Sequence, residues 1–321
     1  MASAWVDGHG HFIPPGRGPR HSPGTEGENW IFSPETSIAY MDRTGVTAQI
    51  VSDCSQLSDI ERIVASNTYG ASLVEAYPKR FGFLAQLPMT DPARAVAEIR
   101  RGVEELGAEG FAVLSHRDGI YLGDPRYEPV WSELDRIEAT LFIHPSTRGY
   151  ETTLGRNGGL IEAPFDTART VVDMLFAGVF RRYQRIKIIL AHCGGALPAL
   201  SGRLLSFGPR RTANPNKITE AEMRDALARF YYDTGLAGTA HSLDPVLAVT
   251  TPDHILYGAD FGGPCTFTEI CDSHLEAVRS HPRLTAAQRE ALGTNVLPLF
   301  PKFAERIGLA RDNAKIAAAA E

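Results

Sequence analysis

Short β-rich apolar runs alternate along the chain with longer amphipathic stretches. The runs at 5–7, 47–52, 81–87, 110–114, 140–144, 186–192, 230–234 and 255–259 read as strands. Helical periodicity predicts helices over 35–43, 57–76, 125–137, 165–183 and 242–249, and further helical segments up to residue 228. Another runs to residue 106, capped by Asp91 with Pro92 in its first turn. Beyond residue 260 the chain reads as helical, ending in a Lys/Ala-rich tail over 302–321 expected to fray. About eight strands, each followed by helix, are the spacing of repeated βα units. A doubly wound sheet shares that alternation but wants a Gly-rich phosphate turn after its first strand, and G-x-G-x-x-G is absent there. No P-loop and no G-x-S-x-G elbow occurs either. The expected fold is therefore α/β, a single (β/α)8 TIM barrel over residues 1–321. Long loops at 14–34 and 147–163 follow strands one and five. Both fall on the face that carries active sites, where they can cover a pocket.

Charge and composition narrow the function. The net charge is -6, and no basic block tracks phosphates, so nucleic-acid binding is not expected. The N-terminus lacks the basic-then-apolar pattern of a secretory leader. The strongest apolar run, 171–180, is too short to span a membrane and contains Asp173. Cys54, Cys193, Cys265 and Cys271 show neither zinc-ribbon nor disulfide-framework spacing, which fits a reducing cytoplasm.

Metal-competent side chains close several of the runs. His9 and His11 close strand one in Asp7-Gly8-His9-Gly10-His11, and His144 closes strand five in Ile143-His144-Pro145. His192 closes strand six in Leu190-Ala191-His192-Cys193-Gly194-Gly195, and Asp260 closes strand eight in Tyr257-Gly258-Ala259-Asp260-Phe261-Gly262. A lone H-x-H carries little weight in a chain with 10 histidines. The weight comes from position, because strand C-termini converge on one barrel face. Residues two apart on a strand point the same way, so Asp7, His9 and His11 share a side. Three imidazoles and a carboxylate (His9, His11, His144 and Asp260) suit Zn²⁺. His192 is a fifth group near the ion, or an acid/base residue, since imidazole titrates near neutrality. Strand four, 110–115, has no lysine to bridge two ions, and Lys79 and Lys187 stand elsewhere, so one ion is expected.

The series D-x-H-x-H, F-x-H-P, I-I-L-x-H-x-G-G and Y-G-x-D-F resembles the amidohydrolase superfamily. Within it, the chain resembles the branch of aminocarboxymuconate-semialdehyde decarboxylase and the ortho-hydroxybenzoate decarboxylases. The resemblance runs from about residue 6 to residue 300. Phe165-Asp166-Thr167-Ala168-Arg169, the segment from Ala191 to Pro198, and Phe230-Tyr231-Tyr232-Asp233-Thr234 look most like 6-methylsalicylate decarboxylases. The resemblance implies metal ligation by His9, His11, His144 and Asp260, with His192 as the catalytic histidine beside the metal. It implies non-oxidative decarboxylation of a small aromatic acid, 6-methylsalicylate or similar, by a homodimer. The ring carbon bearing the carboxylate takes a proton from His192 or Asp260, and CO₂ then leaves. Some members of the branch carry Glu at the first position of the opening motif and another after the strand-six histidine. This chain has His9 and Gly194-Gly195 there, which points to the zinc-type subgroup, with Mn²⁺ as the alternative. Relatives commonly have Ser before the Asp and Pro soon after the Phe, where this chain has Ala259 and Gly262-Gly263-Pro264.

Other residues have two readings each. Asp7 and Asp233 read as hydrogen-bonding supports of the site. His116 and Arg117 follow strand four on the site face and are candidate substrate contacts. Arg169 either anchors a substrate carboxylate or pairs with an acid on its own helix. Trp30 is a lid over the pocket or a loop anchor. His21, His241, His254, His274 and His281 read as surface or capping residues. A Cys193–His192 dyad is not expected, because adjacent strand residues face opposite ways. Two rival functions share the ligand set. One is a hydrolase in which a metal-bound water attacks a lactone or amide; the other is an inactive metal-binding scaffold.

Overall fold

The computed structural model describes residues 4–16, 32–53, 55, 57–146, 158–211, 213–262 and 268–310. In chain order its strands are β1 (Trp5–His11), β2 (Val46–Ser52), β3 (Phe81–Gln86), β4 (Gly110–Leu114), β5 (His116–Arg117), β6 (Ile120–Tyr121), β7 (Thr140–His144), β8 (Lys187–Leu190), β9 (Tyr231–Asp233) and β10 (Ile255–Leu256). Eight of them form one sheet in the order β1-β2-β3-β4-β7-β8-β9-β10, paired in parallel. The sheet closes on itself beyond β10. Gly8 N–H donates to Tyr257 O at 2.8 Å, Asp260 N–H to His9 O at 2.8 Å and His11 N–H to Phe261 O at 2.7 Å. This is the expected (β/α)8 barrel, with helices between successive strands.

The two faces of each strand go to different cores. Val6, Ala48, Ile50, Leu84, Ala112 and Phe142 fill the inside of the barrel. Their sequence neighbours, such as Val51, Phe83, Phe111 and Ile143, join the larger cluster under the surrounding helices. The floor is laid by the chain's own C-terminal segment. Val296, Phe300 and Phe303 pack into the inner cluster. Thr140, at the start of β7, donates to Leu299 O at 3.0 Å, and Arg306 pairs with Glu109 at 2.7 Å. Phe303 is fully buried. Phe303→Ala is therefore expected to cost about 3–5 kcal/mol of stability. Denaturant unfolding measures this, and a loss below about 1 kcal/mol would mean the floor is not part of the core.

Several elements differ from expectation for local reasons. β1 runs through the glycine-rich stretch to His11 instead of stopping at Asp7. Gly8 and Gly10 sit against Val296 and Val51, so the strand stays close to its neighbours. The helix expected over 165–183 is two, Glu162–Phe176 and Val179–Arg182, broken at Gly178 with φ 73°. The β5–β6 hairpin was not expected. It turns on Asp118-Gly119, both at positive φ, the dipeptide preferred in two-residue hairpin turns. The 14–34 and 147–163 loops fall largely, and the end of the 302–321 tail wholly, outside the described residues. No described helix is long and apolar enough to cross a membrane.

Candidate metal centre

A register irregularity between Asp7 and Gly10 lets the end of β1 turn two imidazoles inward. Asp7 does not join them. Its carboxylate accepts from His9 N–H at 2.9 Å, Ala259 N–H at 2.9 Å and Gln49 Nε2 at 2.8 Å. It thus ties β1 to β2 and to the segment that closes the barrel. Asp260 lies four residues beyond β10, at φ 57°, its N–H held by His9 O. A non-glycine residue in the left-handed region is a conformation often found at functional sites.

His9, His11, His144 and Asp260 offer ligand atoms that all lie within 4.8 Å of one another. Each imidazole contacts an oxygen acceptor through Nδ1. His9 Nδ1 lies 3.1 Å from Asp233 Oδ1, His11 Nδ1 3.2 Å from Ser52 O and His144 Nδ1 3.1 Å from Pro145 O. Carboxylates and carbonyls only accept, so each Nδ1 carries the proton and each Nε2 is the available ligand atom. His9 Nε2 and His11 Nε2 are 3.2 Å apart, and Asp260 Oδ1 is 3.3 Å from the first and 2.9 Å from the second. Two imidazole lone pairs at that separation repel unless a proton or a cation stands between them. Ligand atoms held about 2.0–2.2 Å from a divalent ion are themselves roughly 3–3.5 Å apart. The donor set therefore fits a metal ion.

The electrostatics match that chemistry. Burial works against a charge on His9, but the Asp233 and Asp260 carboxylates outweigh it and push its pKa up to about 10. Burial opposes ionisation of Asp260 too, yet His9, His11 and His192 hold it well below the usual carboxylate range. His144 is driven well below the usual imidazole range, first by burial and then by the neighbouring imidazoles. Near neutral pH the site presents an anionic carboxylate and a neutral His144. His9 carries a proton that an incoming cation must displace.

His192 does not continue β8. The strand ends at Leu190, and His192, Cys193, Gly194 and Gly195 all take positive φ. A Cβ on Gly195 would lie 2.2 Å from Pro164 O, so only glycine passes there. The turn brings His192 Nε2 to 3.4 Å from Asp260 Oδ2 and sends Cys193 Sγ toward Ala237 O at 3.4 Å. The two side chains diverge as expected, but through a left-handed turn and not through strand alternation. Asp233 fixes this geometry. Its Oδ1 accepts from His9 Nδ1, from His192 N–H at 3.1 Å and from Gly235 N–H at 2.7 Å. Asp233→Asn is expected to weaken metal binding about 10–100-fold. Metal titration of the purified variant checks this, and an unchanged affinity would remove Asp233 from the support of His9.

Among the described residues, the remaining candidates stand outside the four-residue group. His116 and Arg117 are buried on β5, outside the four-residue group. Arg169 sits 3.9 Å from Asp166 Oδ1 on its own helix, with its side chain half exposed. Trp30 lies outside the described residues, as do Cys54 and Cys265. Asp166 was not anticipated. Fully buried, it accepts from Ser115 Oγ and from Tyr121 OH at 2.7 Å. Ser115 in turn accepts from Ser146 N–H at 2.8 Å and donates its own N–H to His144 O at 2.8 Å. Asp166 thereby pins both the hairpin and the segment that carries His144. Two histidines read as peripheral are buried instead, His274 and His281. His274 Nε2 contacts Gly258 O at 2.9 Å and its Nδ1 accepts from Gly238 N–H at 3.1 Å, two hydrogen bonds that replace water. Burial lowers its pKa to about 4.

The fold and the cluster define a (β/α)8 barrel with a histidine–aspartate cluster that could hold a metal ion at the C-terminal end of the barrel. The chain belongs to the amidohydrolase family, whose profile, described as Amidohydrolase, matches residues 6–295. It is 31% identical over 277 residues to a 6-methylsalicylic acid decarboxylase of Penicillium expansum, covering 80% of this chain and 85% of the relative. It is 28% identical over 325 residues to a 6-methylsalicylic acid decarboxylase of Aspergillus aculeatus, covering 93% of this chain and 96% of the relative. Its fold matches the solved dihydroxybenzoic acid decarboxylase of Polaromonas sp. JS666, which has bound manganese and the inhibitor 2-nitroresorcinol. That match has a TM-score of 0.81 at 22% identity and covers 95% of this chain and 99% of the other.

Proposed function

We propose that this protein is a metal-dependent, non-oxidative decarboxylase of an ortho-hydroxy aromatic carboxylic acid such as 6-methylsalicylate. The observation that carries the reading is the convergence of three Nε2-presenting imidazoles and Asp260, with His192 held against the same carboxylate. The family and its decarboxylating relatives support it. His9, His11, His144 and Asp260 would hold one divalent ion, Zn²⁺ by the chemistry of the donors. Mn²⁺ is the alternative, being the ion bound in the Polaromonas relative. When bound, such an ion supplies a Lewis acid and a template for the substrate's oxygen atoms.

His192 delivers the proton to the ring carbon that bears the carboxylate. Asp260 is the weaker candidate, because its neighbours hold it ionised and it has no proton to give near neutral pH. Cleavage of the C–C bond then returns its electron pair to the ring and releases CO₂. Asp233 keeps His192 and His9 in register during this transfer.

The test is metal analysis of the purified protein followed by a screen of hydroxybenzoates for CO₂ and the matching phenol. Activity is expected with 6-methylsalicylate or a close analogue, lost on chelation and restored by the divalent ion. If lactones open while every hydroxybenzoate stays intact, the protein is a hydrolase. Bound metal with no turnover of any acid, ester or lactone would make it a non-catalytic barrel.

A further inference from the structure

Asp260 owes its place to the two peptide units before it. The first joins Gly258 to Ala259 and is held at both edges. Gly258 O lies 2.9 Å from His274 Nε2, and Ala259 N–H donates to Asp7 Oδ1 at 2.9 Å. The second joins Ala259 to Asp260. Cys271 Sγ donates to Ala259 O at 3.6 Å, and Asp260 N–H donates to His9 O at 2.8 Å. Cys271 and His274 stand three apart on the helix Thr268–Arg279, so one helix face meets both carbonyls. Peptide units are planar, so fixing two successive planes fixes the backbone angles of Ala259 between them. That sets the direction from which Asp260 enters the cluster. The room for error is small. A Cβ on Gly258 would lie 2.7 Å from His9 Cβ and 3.1 Å from Asp233 Cβ, so this peptide packs directly against a proposed ligand and its support.

The imidazole of His274 has one tautomer for this task. Its Nδ1 accepts from Gly238 N–H at 3.1 Å and so carries no proton. Nε2 therefore carries it and donates to Gly258 O, with Thr234 Oγ1 3.3 Å from the same nitrogen. Burial lowers the pKa of the ring to about 4, so it is neutral near neutral pH and adds no charge to oppose a cation. We propose that His274 is a positioning residue of the metal centre, whose Nε2–H holds the Gly258 carbonyl and thereby sets Asp260 against His9 and His11. It acts from outside the four-residue group that offers ligand atoms. The inference rests on the reading of that group as a metal centre.

Two variants separate the two ends of the ring. His274→Gln extends an amide nitrogen to the level of Nε2 and can still donate to Gly258 O. His274→Asn is shorter and can serve only Gly238 N–H. Co²⁺ is titrated into the full-length protein and both variants, its visible absorption bands recording the geometry of its ligands. Denaturant unfolding gives the stability of each metal-free protein. His274→Asn is expected to weaken Co²⁺ binding about tenfold or more and to shift the bands, while His274→Gln stays close to the unmutated protein in both. A packing role would lower metal-free stability and leave Co²⁺ affinity and bands alone. That result, or equal weakening by the two variants, overturns the proposal. A further measurement needs no variant. Imidazole nitrogen NMR of the unmutated protein is expected to show His274 neutral and protonated at Nε2, and the Nδ1–H tautomer overturns the proposal. If the unmutated protein takes up no Co²⁺, the metal-centre reading itself has failed.

Discussion

Asp260→Asn is expected to arrive with little bound metal and to lose about a thousandfold or more in kcat/KM, equivalent to about 4 kcal/mol of transition-state stabilisation. Asp260 is the sole carboxylate in the cluster found among the described residues. Its Oδ1 faces His9 and His11 while its Oδ2 faces His192. Removing the charge is therefore expected to weaken the proposed cation site and to release the His192 imidazole together. Asparagine tolerates the left-handed backbone at this position, so the loss is not a folding artefact. Elemental analysis and turnover are read on the same preparation. Full metal content with near-normal rate would remove Asp260 from the centre.

His192→Asn is expected to separate the two functions that Asp260 joins. The variant should bind the ion at full stoichiometry and lose about 10²–10⁴ in kcat, the usual contribution of a positioned general acid. The reason is geometric. His192 contacts Asp260 Oδ2 but is outside the four-residue group whose atoms converge. Asparagine again suits the positive φ, here 56°, and cannot serve as a proton donor of the required acidity. If the variant is metal-free, His192 is a ligand and the proton must come from elsewhere.

The barrel and the heart of the site were legible because both depend on periodicity. A short apolar run ending in His marks a strand whose polar tip emerges at the barrel mouth, as at His11 and His144, whereas the eighth strand stops at Leu256 and Asp260 reaches the same cluster from four residues further on. What failed to read was local backbone geometry. Gly8 and Gly10 look like strand terminators, yet they let β1 approach Val296 and Val51. Asp118-Gly119 was a readable hairpin signal, but two-residue strands leave no alternation to detect. The His192 turn needs four successive positive φ values, which no pattern of polarity reports. Partners distant in sequence were equally hidden. Nothing near Asp166 announces Ser115 and Tyr121, and nothing near His274 announces Gly258 and Gly238.

The inner floor of Val296, Phe300 and Phe303 bears on the order of events at the ribosome. Synthesis proceeds from the N-terminus, so His9 and His11 emerge first, while Asp260 and then the residues that seal the base come last. A nascent chain cannot assemble the complete coordination set before most of its length has been translated. The four converging side chains therefore coexist in the growing chain only once the segment that carries Asp260 has been made.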